Sequence, residues 1–352
     1  MADSERQRAL RAHLLHGQVI PAHPLALTAA RKLDERRQRA LTRYYLDAGA
    51  GGLAVAVHTT QFEIRRPEHG LLRPVLELAA ETARDRGASS SRPVALVAGV
   101  IGDTKQAVAE AELAASLGYD VALLGLGALA KASDSELIAH CRAVADVLPL
   151  FGFYLQPAVG GRVLGYAFWR AFAEIERAWA IKIAPFDRYR TTDVVRAIAD
   201  AGRDDLALYT GNDDAIVADL VTPFSVSGGG QRRIVGGLLG QWAMWTRRAV
   251  EMLDHARSAR DAAAVPSSLL REGAALTDAN GGIFDAANRF AGCIPGIHEV
   301  LRRQGLLEGV WCLDPVEKMS RGQAEEIDRV CREHRELTDD EFVREHLDRW
   351  LA

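Results

Sequence analysis

The chain has 352 residues, 48% of them hydrophobic and 26% charged, which is the composition of an ordinary globular protein with ample material for a core. Its formal net charge of −4 gives no electrostatic basis for binding nucleic acid or a membrane surface, and its longest uncharged apolar run, 121–130, is too short to cross a bilayer. A charged N-terminus without an apolar signal core, and scattered cysteines without a C-x-x-C pair, predict a cytoplasmic protein in a reducing compartment.

Short aliphatic runs alternate along the chain with longer segments of helical periodicity. Strands are predicted at 18–27, 52–57, 94–100, 121–126, 150–156, 180–184, 206–210 and 223–227. Helices are predicted at 34–48, 70–87, 104–117, 133–147, 165–177, 191–201, 212–220 and 236–257. Asp34, Asp103 and Ser133 are N-cap candidates, and Ser133 with Glu136 has the spacing of a capping box. Eight βα units in series predict a parallel sheet, and eight is the number that closes into a barrel.

An open doubly wound sheet is the competing fold, but it would need a glycine-rich dinucleotide loop after the first strand. The segment 27–31 has no glycine, so this fold is rejected. We predict an α/β protein in which 1–257 form a (β/α)8 TIM barrel with a short N-terminal helix. Residues 258–352 are predicted to form an α-helical C-terminal extension packed on the barrel, because helical patterns continue there without strands. Those helices are predicted at 268–279, 284–291, 296–305, 322–336 and 339–350.

Lys182 lies inside the short apolar run 179–185. Alternation along a strand places Lys182 on the face opposite to Ile181 and Ile183. A buried ammonium is costly unless it is paired, and desolvation lowers the pKa of lysine toward neutrality. The resulting free amine can condense with a carbonyl substrate. For this residue alone, a strand-end lysine with its ammonium in water is the competing interpretation.

Polar residues also follow other predicted strands at their carboxyl ends, where the active sites of barrels lie. His58, Thr59 and Thr60 follow the second strand, Tyr154 ends the fifth, and 211–214 follow the seventh. Each has a structural alternative. Threonine is common at strand ends, a lone tyrosine is often buried with a satisfied hydroxyl, and Asp213 is a good helix N-cap.

The order of these motifs resembles the dihydrodipicolinate synthase and N-acetylneuraminate lyase family. The shared pattern is Thr-Thr after the second strand, Tyr-x-x-Pro after the fifth, a lysine on the sixth, and Gly-x-Asp after the seventh. Lys182 lies 28 positions after Tyr154, the interval expected of that family. The resemblance covers roughly residues 15–335.

The resemblance implies a class I lyase. Lys182 would form a Schiff base with the carbonyl of a pyruvate-type 2-oxo acid, so that the covalent imine takes the place of any cofactor. Tyr154 would be the general acid/base, with Thr59 as the hydroxyl that hydrogen-bonds it. Thr60 and the backbone amides of its loop would hold the substrate carboxylate, and Gly211 would let the seventh-strand loop approach the substrate closely. The resemblance also suggests a homodimer or homotetramer.

Departures from the family pattern argue against dihydrodipicolinate synthase itself. His58 replaces the first glycine of the threonine motif, either as a polar contact to the substrate or as a structural donor. Val159 stands where the synthases have an arginine that grips the second substrate's carboxylate, and Arg162 lies nearby but out of register. The expected tyrosine pair after the fourth strand falls on Ala128 and Leu129. We therefore expect a different second-substrate pocket, for a less charged or larger partner.

A glycine-rich loop, 227–233, follows the eighth predicted strand. Loops at this position often bind phosphate, and glycine amides with arginines suit an anion. On this interpretation the loop, with Val226 before it, contacts the distal part of the substrate. The alternative is a flexible surface loop with solvated arginines.

Three functions stay open from the sequence. The first is an aldolase or lyase that makes or breaks a carbon–carbon bond next to a pyruvate-type enamine. The second is a dehydratase of a deoxy-keto sugar acid through the same imine. The third is a catalytically silent barrel that binds oxo acids. We expect no metal, because His58 and His69 lie in one loop without strand-end partners elsewhere.

Overall fold

The computed structural model describes residues 4–87, 92–260, 262 and 264–352. Its strands are, in chain order, β1 (Val19–Pro21), β2 (Gly52–Val55), β3 (Ala95–Val100), β4 (Val121–Leu124), β5 (Leu150–Leu155), β6 (Ala178–Ala184), β7 (Ala207–Thr210), β8 (Phe224–Ser225), β9 (Gln231–Arg232) and β10 (Gly236–Leu239). All except β8 and β9 form one parallel sheet, in the order β1-β10-β7-β6-β5-β4-β3-β2. A parallel bridge between Ala22 and Ala54 brings the first strand back to the second. The sheet is a nearly closed barrel with helices between its strands, so the predicted (β/α)8 TIM barrel is confirmed.

The helices of the barrel part are α1 (Glu5–His16), α2 (Glu35–Ala48), α3 (Leu72–Gly87), α4 (Thr104–Ser116), α5 (Asp134–Ala145), α6 (Tyr166–Phe172), α7 (Arg188–Asp200), α8 (Ile216–Val221) and α9 (Thr246–Arg260). Three predicted N-caps are present: Asp34 and Asp103 accept hydrogen bonds from backbone amides in the first turn, and Ser133 forms a capping box with Glu136. These caps satisfy amides that a helix start leaves without partners.

Helix α1 lies at the amino end of the barrel. Its Leu10 and Leu14 pack with the side chains of the barrel interior. The Tyr209 hydroxyl donates a 2.8 Å hydrogen bond to the carbonyl of Leu14, and Arg6 forms an ion pair with Asp120 just before β4. This end of the barrel is therefore filled, and open space remains at the carboxyl ends of the strands.

Strand alternation divides the core into two layers. Ala180 and Ala184 of β6 pack with the barrel interior, whereas Ile181 and Ile183 pack in the larger layer between the sheet and the helices. Lys182 lies between the two isoleucines, so it has the inward orientation that the sequence predicts.

The eighth barrel strand is not the predicted one. Val226 and its neighbours in 223–227 belong to an antiparallel hairpin of β8 and β9 outside the barrel sheet, and β10 lies where a helix over 236–257 was predicted. The glycines of β10 are crowded: a Cβ on Gly236 would lie 2.5 Å from the Gln18 backbone, and one on Gly237 2.6 Å from the Trp242 ring. The strand is defined by its pairing with β1 and β7 and by the close approach of Gln18, all distant in the chain, so hydrophobic periodicity did not reveal it.

The C-terminal helices are α10 (Ser267–Ile283), α11 (Cys293–Arg303), α12 (Gln323–Glu333) and α13 (Asp340–Leu351). The predicted helix 284–291 is only a 3-10 turn at Ala286–Asn288. Helix α10 packs on α8 and α12, and α13 packs on α2. The turn between α10 and α11 reaches the carboxyl end of the barrel. No helix in the described ranges is long and apolar enough to span a bilayer.

Candidate active site

A small cavity, which we call the lysine cavity, lies at the carboxyl ends of the barrel strands and has a volume of about 70 Å³. Its polar lining residues are His58, Thr59, Gln156, Lys182 and Asp213. The remaining lining residues are apolar residues and glycines from the barrel and from the C-terminal helices. A cavity of this size, with few polar groups, accommodates only a small molecule.

Lys182 brings an amine into this cavity. It is partly buried, whereas the other four lysines of the chain are exposed. Its Nζ lies 4.6 Å from the centroid of the Phe153 ring. Burial lowers the pKa of Lys182, and the negative charge of Asp213 partly opposes this shift. The amine is therefore uncharged in a larger fraction of molecules at neutral pH than an ordinary lysine is.

Gly211 makes room for that amine. A Cβ at this position would lie 2.6 Å from Cε of Lys182 and 2.7 Å from Cβ of Ala184. The Gly211 amide donates a 2.7 Å hydrogen bond to the carbonyl of Ile183, which holds the strand ends together. We predicted that Gly211 allows a close approach to the substrate; the close approach in the structure is to Lys182.

Asp213 is a functional candidate that the sequence reasoning assigned to helix capping. The N-cap of α8 is Ala215, so capping is not its role. One carboxylate oxygen accepts a 3.3 Å hydrogen bond from the Gln241 amide. Burial raises the pKa of Asp213, and the positive charge of Lys182 opposes the shift. An amine of lowered pKa and a carboxyl of raised pKa thus line one cavity, and either can hold a proton near neutral pH.

His58 lines the cavity, as predicted. The centroid of its ring lies 6.0 Å from that of the Phe62 ring. The two ring nitrogens of His58 have no hydrogen-bond partner among the residues that the structure describes. Burial, assisted by the charge of Lys182, lowers the pKa of His58 to about 4. The imidazole is therefore neutral at pH 7, with one N–H available as a donor.

The two threonines have different positions. Thr59 lines the cavity, but its hydroxyl donates a 2.8 Å hydrogen bond to the carbonyl of Ala22. Thr60 lies behind the cavity wall. Its hydroxyl donates to the carbonyl of His23 and accepts from the Val57 amide, and its own amide donates to the Val57 carbonyl. Thr60 has no free donor for a carboxylate, and we correct the prediction that it binds substrate.

Tyr154 is not in the cavity. Its ring packs 5.5 Å from the Trp169 ring, in the layer between the sheet and the helices, and its hydroxyl accepts a 3.2 Å hydrogen bond from the Leu164 amide. The predicted general acid/base, and its hydrogen bond from Thr59, are therefore corrected. The inward residue at the end of β5 is Phe153.

A register shift explains the outward orientation of Tyr154. At the start of the pair, Leu150 is opposite Ala178, a separation of 28, and the register then shifts so that Phe153 is opposite Lys182. Without this shift Tyr154 would be opposite Lys182 and would share its face. The chain spacing of 28 therefore misled the sequence interpretation.

The glycine-rich loop lies away from the cavity. Val226 is partly buried against the outer layer and does not line the cavity, so its predicted contact with substrate is corrected. Arg232 donates to the carbonyls of Arg203 and Leu206, and Arg233 donates to that of Val221. Both guanidinium groups hold neighbouring loops together through these hydrogen bonds. The two arginines that the anion-binding interpretation requires are therefore engaged elsewhere.

Two aromatic rings cover the lysine cavity from outside. Phe186, after β6, and Phe290, between α10 and α11, have ring centroids 5.9 Å apart and an interplanar angle of 64°. Both have left-handed backbone conformations, with φ of 52° and 65°. Such a conformation is rare for a bulky residue and costs roughly 1–3 kcal/mol, a kind of strain that is concentrated at ligand sites.

A protein-family model matches more than half of the chain. The model of the Dihydrodipicolinate synthetase family matches residues 16–230. No curated protein sequence matches the chain significantly.

Solved structures share the fold at low sequence identity. An N-acetylneuraminate lyase from Fusobacterium nucleatum is 19% identical, with a TM-score of 0.70 over 91% of this chain and 99% of that chain. A prophage protein of the dihydrodipicolinic acid synthase family from Escherichia coli, in complex with pyruvate, is 18% identical, with a TM-score of 0.73 over 90% and 98%. A dihydrodipicolinate synthase from Oceanobacillus iheyensis is 16% identical, with a TM-score of 0.72 over 94% and 100%.

Gly211→Ala tests the space around the amine. The new methyl group must displace Cε of Lys182, so the pyruvate imine that the family resemblance implies on Lys182 should be trapped by reduction about 10²-fold more slowly, as expected for a misplacement of about 1 Å. Overpacking should also cost about 1–3 kcal/mol of stability. Trapping is measured by intact mass after borohydride treatment, and stability by urea unfolding.

Gly281→Ala is the matched control, because a Cβ there meets nothing within 4 Å inside α10. It should leave trapping unchanged and raise stability by roughly 0.5–1 kcal/mol. Trapping by Gly211→Ala at the rate of the unaltered protein would contradict the inferred crowding.

Tyr154→Phe tests the outward position of the phenol. We expect turnover to be retained, while loss of the acceptor for the Leu164 amide lowers the free energy of unfolding by about 1–3 kcal/mol. Steady-state kinetics and urea unfolding check both. A general acid/base at this position would instead cost roughly 10²–10⁴-fold in kcat, and a loss of that size would refute the assignment.

Proposed function

This chain belongs to the dihydrodipicolinate synthetase family, and from that premise we propose that it is a class I lyase or aldolase that binds a pyruvate-type 2-oxo acid as an imine on Lys182. The observation that carries the proposal is the state of this amine. It faces a small cavity at the carboxyl end of the barrel, burial lowers its pKa, and no described residue accepts a hydrogen bond from it or forms an ion pair with it.

The first step is imine formation. The uncharged Lys182 amine attacks the carbonyl carbon of the oxo acid, and loss of water together with uptake of one proton from solvent leaves a positively charged iminium. The Phe153 ring, 4.6 Å from Nζ, presents an aromatic surface to that charge. The apolar lining keeps bulk water away from the imine, which slows its hydrolysis before the next step.

Asp213 is the proposed general base of the second step. Its carboxylate removes a proton from the carbon next to the iminium, and the electron pair of that C–H bond gives the neutral enamine. The enamine carbon then forms a bond to an aldehyde carbon, and the aldehyde oxygen takes the proton from Asp213. Hydrolysis of the imine releases the product and restores the Lys182 amine. The reverse sequence cleaves the same bond, and a raised pKa suits Asp213 to both directions.

His58 is the proposed contact of the substrate carboxylate. It lines the same cavity as Lys182 and holds a neutral imidazole with an uncommitted N–H. A donor to a carboxylate forms a charge-assisted hydrogen bond, which is stronger than one between neutral groups. Thr59 contributes only its oxygen lone pair, because its proton is donated to Ala22.

A catalytically silent, oxo-acid-binding barrel is the second candidate. The observation that favours it is the outward position of Tyr154, which leaves the cavity without a phenol for proton transfer. A dehydratase that uses the same imine differs from the aldolase only in its substrate, so product analysis with sugar-derived oxo acids separates them.

Reductive trapping tests the imine. We expect borohydride and pyruvate to add one reduced pyruvate to Lys182, identified by peptide mass. The rate should rise with pH through the pKa of Lys182, because only the free amine reacts, and the midpoint should lie below that of an ordinary lysine because burial lowers this pKa.

Lys182→Met should abolish this adduct, and Lys105→Met, at an exposed lysine of α4, should not. A protein that forms no adduct with any member of a 2-oxo acid panel, while remaining folded, would remove the imine mechanism and favour the silent barrel.

Asp213→Asn separates imine formation from proton transfer. The carboxylate raises the pKa of Lys182, so its removal should shift the midpoint of trapping to lower pH. Turnover with an aldehyde should fall by roughly 10²–10⁴-fold, because the base is lost. Asp214→Asn, at the exposed neighbouring carboxylate, is the matched control. An equal loss of trapping and turnover in Asp213→Asn would indicate a purely structural role.

A further inference from the structure

A second cavity, which we call the apolar pocket, lies beside the lysine cavity at the carboxyl ends of β3, β4 and β5. Its volume is about 400 Å³. Four residues line both cavities, so the two spaces adjoin, and we call these residues the shared wall: Val57, Phe153, Leu155 and Val159. The lysine cavity, at about 70 Å³, is too small to hold a second substrate beside an oxo acid, so that substrate needs a neighbouring space.

The lining of the apolar pocket has no charged side chain among the residues that the structure describes. Besides the shared wall, its side chains include Phe62, Ile101 and Leu123. Gln106 is the one lining residue with a polar side chain, and its amide nitrogen donates a 2.9 Å hydrogen bond to Glu110. A charged or highly hydroxylated ligand would lose its hydration here without receiving comparable partners.

Three positions that could have supplied polar groups do not. Val159 forms part of the shared wall, and Ala128 lines the apolar pocket. Arg162 donates hydrogen bonds of 2.7 and 3.0 Å to the carbonyls of Leu129 and Ala132, so its guanidinium ties down the loop after β4. The Arg162 guanidinium is therefore not available to a second carboxylate.

We propose that the second substrate is an apolar aldehyde, aromatic or branched aliphatic, whose side chain occupies the apolar pocket while its carbonyl meets the enamine on Lys182. This rests on the proposed function. Phe153 and Val159 stand between the two spaces, so they determine which aldehydes reach the enamine. In the cleavage direction the substrate is a 4-hydroxy-2-oxo acid. Its C3–C4 bond breaks, and the apolar group is attached to C4.

A panel of aldehydes with pyruvate tests the proposal on the full chain. We expect benzaldehyde and 3-methylbutanal to give aldol products with kcat/KM at least about 10-fold above those of glyceraldehyde and succinic semialdehyde, the lower end of what one pocket-filling group contributes. Products are identified by mass and chromatography. Intact pyruvate trapping on Lys182 with no preference for apolar aldehydes would overturn the apolar pocket alone, whereas absent trapping would overturn the proposed function.

Two variants test whether the preference for apolar aldehydes arises in the apolar pocket. Ala128→Trp should fill the pocket and raise KM for benzaldehyde by about 10-fold without changing pyruvate trapping. Ala130→Trp is the control, since Ala130 is exposed in the same loop and does not line the pocket.

Val159→Arg provides a second, independent measurement. It places a cation in the shared wall and should shift the preference from benzaldehyde toward succinic semialdehyde by about 10-fold or more. Unchanged preferences in both folded variants would show that the aldehyde binds elsewhere.

Discussion

Desolvation of one amine is the constraint on which the candidate site depends. Lys182 points inward near the carboxyl end of β6, where an aromatic ring, a glycine and the C-terminal helices surround it. A charged ammonium is poorly solvated there, which lowers its pKa. Gly211 allows this position, and Phe186 and Phe290 cover it. The strained backbone of both phenylalanines persists because the packing around them determines their conformation.

The titratable groups of the lysine cavity act on one another. The charge of Asp213 favours a protonated Lys182, and the charge of Lys182 favours both an ionised Asp213 and a neutral His58. Protonation of any one group changes the pKa of the others, so the site titrates as a unit. In the proposed reaction, such coupling would let a proton leave a substrate carbon and return to a product oxygen without a phenol in the cavity.

The apolar pocket and the lysine cavity, both at the carboxyl end of the barrel, differ in the polarity of the side chains that line them. The charges and the polar donor lie on the side of β2, β6 and β7, and apolar side chains occupy the side of β3, β4 and β5. The fold is common to relatives that are at most about one fifth identical, so the barrel itself does not determine the substrate. The residues that distinguish the two cavities come mainly from the strand ends, from the loops after the strands and, in the lysine cavity, from the α10–α11 region.

The sequence by itself determined the βα alternation, the helix caps, the inward face of Lys182 and the presence of His58 and Gly211 at strand ends, because periodicity and capping are local properties. Tertiary structure decided the rest. A register shift between β5 and β6 places Phe153, rather than Tyr154, opposite Lys182, and pairing with β1 and β7 makes a strand of β10. The sequence placed Asp213 in the Gly-x-Asp motif but favoured helix capping, and its position beside Gln241 and Lys182 decided that it belongs to the cavity. Pairing register and burial depend on residues far apart in the chain, and no local pattern records them.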